Sequence, residues 1–145
     1  MEELFRKESE VYQVLEDLQG EVIPKCWGTF YVKFKKRQLR DDRFVNIILV
    51  EKVKGKRLNI FPSSSLNSND RGLLVKTITA AVVNLNRHGV FMPTIGPQNL
   101  VVESPSKVML IDFLCSQYYG AMTSQRSFQE LALHDLFTDV SLFEE

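Results

Sequence analysis

No stretch of this 145-residue sequence comes near the roughly 20 consecutive apolar residues needed to cross a bilayer. The opening MEELFRKESE is charged from its second residue and lacks the apolar run of a signal peptide. Both absences point to a protein that stays inside the cell, cytoplasmic or nuclear, and off the membrane. An excess of charge is also missing: 18 lysines and arginines balance 18 aspartates and glutamates, so no whole-chain field draws the protein onto nucleic acid. Cysteine is scarce. Cys26 and Cys115 stand far apart with no CxxC or Cys/His spacing, a pattern that predicts two buried core thiols rather than a disulfide or a metal site. His88 and His134 have no cysteine or carboxylate at ligand or triad spacing, so neither is assigned chemistry, and His88 reads as part of a helix terminus. Internal repeats and low-complexity tracts are absent, and the one linker-like segment is PSSSLNSND at 62–70.

What is present suits one compact domain with a real core: 44% of residues are hydrophobic and 25% charged. Leu4, Phe5, Val11, Tyr12, Leu15 and Leu18 recur at helical spacing before Gly20, which predicts an amphipathic helix over the first twenty residues. CWGTFYVKF and VNIILVEKV are rich in β-branched and aromatic residues, and the charged LRDDR between them suits a turn, so they predict an antiparallel hairpin. Asn69 or Asp70 can cap a central helix whose apolar face is Leu73, Leu74, Ile78, Ala81, Val82 and Leu85, ending near His88-Gly89. Two short strands, QNLVVE and KVMLIDF, follow around SPS. A last segment has helical spacing at Phe128, Leu131, Leu136 and Val140.

Within this order lie five short motifs: Glu8 with Tyr12, VIPKCWG at 22–28, ILVEKVKG at 48–55, HGVFMPTIGPQN at 88–99 and VMLIDF at 108–113. In sequence and spacing they resemble the middle of a protein-kinase-like fold, and in particular the small kinase-like proteins common in fungi, over residues 4 to 116. The resemblance implies an α+β, partial kinase-like fold: a small antiparallel sheet packed with a helix, then a long helix and a catalytic-loop-like hairpin. It divides the chain into a partial N-lobe-like part at 1–53, a hinge or linker at 54–69 and a partial C-lobe-like part at 70–145.

Residue by residue, the resemblance places Glu8 at the helix glutamate that pairs with a strand lysine in active kinases. Only seven residues precede Glu8, which implies that the phosphate-covering strands and their lysine are missing. Without that partner, a solvated helix carboxylate is the plainer reading of Glu8. Glu51, Lys52 and Val53 fall at the hinge, where backbone groups of the family bond an adenine. Aligned on Asn99, the catalytic aspartate falls on Thr94, whose hydroxyl is no base near neutral pH. Asn99 and Asp112 occupy positions that hold metal ions in the family. The alternative is structural, with Asn99 bonding its own loop and Asp112 capping a turn.

Two further features carry charge. KFKKRQLR at 33–40 is basic, with Lys33, Lys35 and Arg37 alternating on one side of a strand; it reads as a solvated hairpin face or as a contact for phosphate or an acidic partner. After Arg126 come Glu130, Asp135, Asp139, Glu144 and Glu145 with no lysine or arginine, an acidic amphipathic segment suited to docking on its own core or on a partner. The functional expectation is a catalytically inactive kinase-like protein that binds a protein: a kinase, a kinase's partner or a second copy. No cofactor is expected. The competing expectation is a residual phosphotransferase or nucleotide-binding protein using ATP and magnesium.

Overall fold

The computed structural model describes residues 2–34 and 43–120. It combines two α-helices with small antiparallel sheets. Helix α1 spans Glu2–Val14 and helix α2 spans Ser68–Arg87. Strands β1 (Cys26–Phe34) and β2 (Arg43–Val50) form a two-stranded hairpin; β3 (Lys56–Arg57), β5 (Leu100–Ser104) and β6 (Lys107–Leu110) form a three-stranded sheet in the order β3-β5-β6; β4 (Val90–Phe91) pairs with β7 (Gln117–Tyr118).

Helix α1 stops earlier than its apolar spacing predicts. A 3-10 turn at Glu16–Leu18 follows it, and the Leu18 carbonyl accepts from the amides of Val22 and Ile23 at 3.0 and 3.2 Å, which folds the chain back toward β1. Gln19 then ties helix to hairpin: its Nε2 donates to the Tyr12 carbonyl at 2.9 Å, and its Oε1 accepts from the Cys26 amide at 2.8 Å. At the far end of β2, Glu51 leaves the strand because it clamps Lys25. The Glu51 amide donates to the Lys25 carbonyl and the Glu51 carboxylate accepts from the Lys25 amide, both at 2.9 Å.

Helix α2 is capped by Asn67, ahead of the expected Asn69 or Asp70. Asn67 Oδ1 accepts from the Asp70 amide at 2.8 Å and its Nδ2 donates to Asp70 Oδ2 at 3.0 Å, so cap and third helical residue satisfy each other. Leu74, Ile78, Ala81, Val82 and Leu85 are buried as their spacing predicts, whereas Leu73 is exposed because it lies one step off that stripe. His88 is the C-cap, with its Nδ1 within 2.8 Å of the Asn84 carbonyl, and Gly89 takes the left-handed φ of 75 that ends the helix.

The core joins α1 (Val11) and Leu15 just after it, α2 and the β5-β6 pair (Leu100, Val102, Val108, Leu110), with Ile23 and Phe113 fully enclosed. Cys26 packs partly against this core, but Cys115 is exposed and both thiols are free. The expectation that both are core thiols fails at Cys115, which occupies a turn where Phe113 and Ser116 take the inward positions. Among the described residues, no helix is long and apolar enough to cross a membrane. The final expected helix, His134, and the run from Lys35 to Arg40 lie outside the described residues.

Two glycines make opposite demands. A Cβ on Gly89 would collide with the Gly120 carbonyl at positive φ, while Gly72 sits exposed in α2 with nothing nearby. Gly89→Ala should lower stability by more than about 2 kcal/mol, and Gly72→Ala should raise it by about 1 kcal/mol, in denaturant unfolding.

Candidate functional site

A depression of about 740 Å³ lies between α1 and the hairpin face that α1 covers. Its walls are built by alternation. Thr29, Tyr31 and Lys33 of β1 share a face with Ile48, Asn46 and Phe44 of β2 through the register of the pair. Phe5 of α1 meets Tyr31 edge to face at 6.0 Å, and Lys33 Nζ stands 5.8 Å from the Phe44 ring centre. The inner end carries Glu8, Tyr12 and Leu114.

Glu8 is not the solvated helix carboxylate its sequence suggests. Half-buried, it is pushed above the ordinary carboxylate value by desolvation first and by the Asp112 carboxylate second, while a hydrogen bond from the Phe113 amide acts in the opposite direction. Tyr12, one turn on, packs edge to face on Phe113 at 5.4 Å. Burial, then the charge of Glu8, raises its phenol pKa well above the ordinary value. Glu8 and Asp112, 104 positions apart in sequence, are therefore neighbours.

Asp112 is also the one non-glycine residue with positive φ among those described, at 67. Such backbone is costly without glycine, and it clusters at functional sites and tight turns. Here Asp112 Oδ1 accepts from the Leu114 amide at 3.4 Å, a turn-capping contact. Asn99 is buried, and its side chain serves its own loop: Oδ1 accepts from the Gly96 amide at 3.0 Å. The Asn99 carbonyl accepts from the Ile111 amide at 2.8 Å, which brings the loop beside the residue preceding Asp112. Met92 is buried under this loop; Pro93 and Thr94 are exposed on its turn.

The residues assigned by sequence thus fall into two places. Glu8, Asp112 and Asn99 converge around Phe113 and Ile111. Glu51, Lys52 and Val53 line a separate, smaller depression of about 180 Å³ with Gly20 and Met109, where the Glu51 amide is already bonded to Lys25. As a magnesium site the first cluster does not fit. The Asn99 oxygen is engaged within its loop, Asp112 caps a turn, and among the described residues no group of three or more His, Cys, Asp or Glu is placed to hold a metal ion. Sequence reasoning missed Tyr31, Phe44 and Leu114 as walls of the larger depression. For Tyr31 and Phe44 the signal was an aromatic residue on the same face of each hairpin strand.

No protein-family model matches the chain, and no curated protein matches it.

Because the pKa of Glu8 is raised in the fold, its contribution to stability is fully present below the ordinary value of 4.5 and is lost as pH rises through the shifted value. Glu8→Gln should therefore melt above the parent protein at neutral pH, with the difference closing as pH falls below that ordinary value. At position 112, an alanine should cost about 1 kcal/mol relative to a glycine, since only the latter accepts left-handed backbone freely. Equal stabilities for Asp112→Ala and Asp112→Gly would show that the φ is not held in solution.

Proposed function

We propose that this chain is a catalytically inactive, kinase-like protein that acts by binding another protein, as a regulator or decoy of a kinase or of a kinase's partner. One observation carries the reading: among the described residues, the depression beside Glu8 is lined mainly by apolar and aromatic side chains, with two carboxylates, Glu2 and Glu8, and with Lys33 held over the Phe44 ring. Such a surface repels a triphosphate and suits the apolar side chains of a protein partner. The exposed Thr94, at the position where the resemblance expects a catalytic aspartate, supports the same reading, because its hydroxyl cannot take a proton from a substrate alcohol.

The competing reading is a residual phosphotransferase in which Asn99 and Asp112 hold metal-bound ATP. Thermal unfolding with millimolar ATP and magnesium separates the two, since a ligand that binds only the folded state raises the melting temperature. No rise is expected, and Thr94→Asp should not create phosphate transfer to a protein substrate. A rise that is lost in Asp112→Asn would sink the binding-protein reading. Capture of one specific partner by the intact chain, weakened by Leu114→Asp at the floor of the depression, would support it.

A further inference from the structure

Two contacts fix how helix α1 lies along the β1-β2 hairpin. Phe5 meets Tyr31, whose strand partner is Asn46, and Tyr12 lies near the Cys26 thiol, whose strand partner is Val50. The helix therefore runs parallel to β2, and the depression between them is a groove with Glu2 and Phe44 at one end and Tyr12 and Val50 at the other. The strand from Phe44 to Val50 makes it about 20 Å long. Its aromatic wall is open to water, since Tyr31 and Phe44 are each 65% exposed. Charge is uneven along it. Lys33 stands over Phe44 at the outer end, whereas Glu8, between Phe5 and Tyr12, is level with Ile48, about 14 Å farther along the strand. That separation exceeds the ~8 Å beyond which physiological salt screens exposed charges from each other. Beside Glu8 stands the Asp112 carboxylate, and among the described residues neither forms an ion pair with a lysine or arginine.

We propose that this groove receives a short segment of the protein partner that bears a lysine or arginine, whose charged end meets Glu8 and Asp112 while its apolar neighbours cover Tyr31 and Phe44. Charge complementarity selects this occupant. A wholly apolar segment would take the two carboxylates further from water with nothing to compensate them, and an acidic one would add a third like charge. A basic side chain supplies both needs, because its methylene stem packs on apolar walls while its head reaches the carboxylates. The wall itself tolerates a cation, as the Lys33 ammonium, 5.8 Å from the Phe44 ring centre, demonstrates. Length favours a segment over a lone small amine: a groove of about 20 Å holds about six extended residues, and a small amine at Glu8 would leave the exposed rings in water. The inference rests on the reading that the chain binds a protein, and it adds what that protein presents.

Two synthetic peptides of about six residues test this, rich in leucine and phenylalanine and identical except for a central lysine in one and its uncharged counterpart norleucine in the other. Titration calorimetry on the intact chain, at neutral pH and low salt, should show the lysine peptide binding about tenfold tighter than its twin. In Glu8→Gln that preference should shrink several-fold with the norleucine peptide unaffected, and Phe44→Ala should weaken both peptides alike. Equal affinities of the two peptides for the parent protein overturn the inference, as does a lysine preference that survives unchanged in both Glu8→Gln and Asp112→Asn. Because the first of these outcomes needs no variant, a misfolded one does not rescue the proposal. Binding of 3-phenylpropylammonium as tight as that of the lysine peptide overturns it in favour of a small amine. Should neither peptide bind at millimolar concentration, the inference falls, while the protein-binding reading still stands or falls on partner capture and its weakening by Leu114→Asp.

Discussion

Phe113 is the residue on which the two ends of the described fold meet. Fully enclosed, it packs its ring against Tyr12 of α1, and its amide holds the carboxylate of Glu8 one turn earlier. Since Phe113 follows directly on β6 and the Asp112 turn, this contact fixes where α1 lies relative to the β5-β6 pair. A second link runs in parallel, as the Leu110 amide donates to the Val22 carbonyl at 2.8 Å. With α1 placed, Gln19 and Glu51 place the hairpin. Removing the ring would leave a large core void and also an unanchored carboxylate, two costs that compound because they fall on one contact.

That dependence explains which expectations from sequence held. The hairpin strand β1 and the apolar face of α2 were legible because their periodicity is local and strong. The Gly89 end of α2 was legible because only glycine takes that backbone easily. The pairs β3 with β5 and β4 with β7 were not, since two-residue strands carry no period, and their partners are set by backbone approach at Gly55 and Gly89. The environment of Glu8 was invisible for a different reason. Its desolvation and its like-charged neighbour arrive from residues 112 and 113, far along the chain, and no local pattern around Glu8 encodes them.

The hairpin shows the opposite case, where the sequence held information that motif reading passed over. The outward set of β1 and β2, Phe30, Val32, Val45, Ile47 and Leu49, is apolar throughout, where a solvated strand face normally carries polar residues. Read only as a strand signal, that composition says nothing of layers. Read as a statement about the outward face, it marks an apolar surface that α1 does not cover.

The loop from Gly89 to Asn99 bears on function in the same way. Asn99 closes the loop on Gly96 with its side chain and joins it to Ile111 with its carbonyl, so the residue is needed for the shape of the loop whatever the loop does. The shape of this loop therefore needs no phosphate chemistry to maintain it. Asp112 likewise caps the turn that delivers Phe113 to Tyr12. The two residues most suggestive of metal binding both have structural work within reach of their oxygens, while Thr94, free of such work, lies exposed. The oxygens of Asn99 and Asp112 are thus engaged within the fold, and the depression beside Glu8 is lined mainly by apolar side chains.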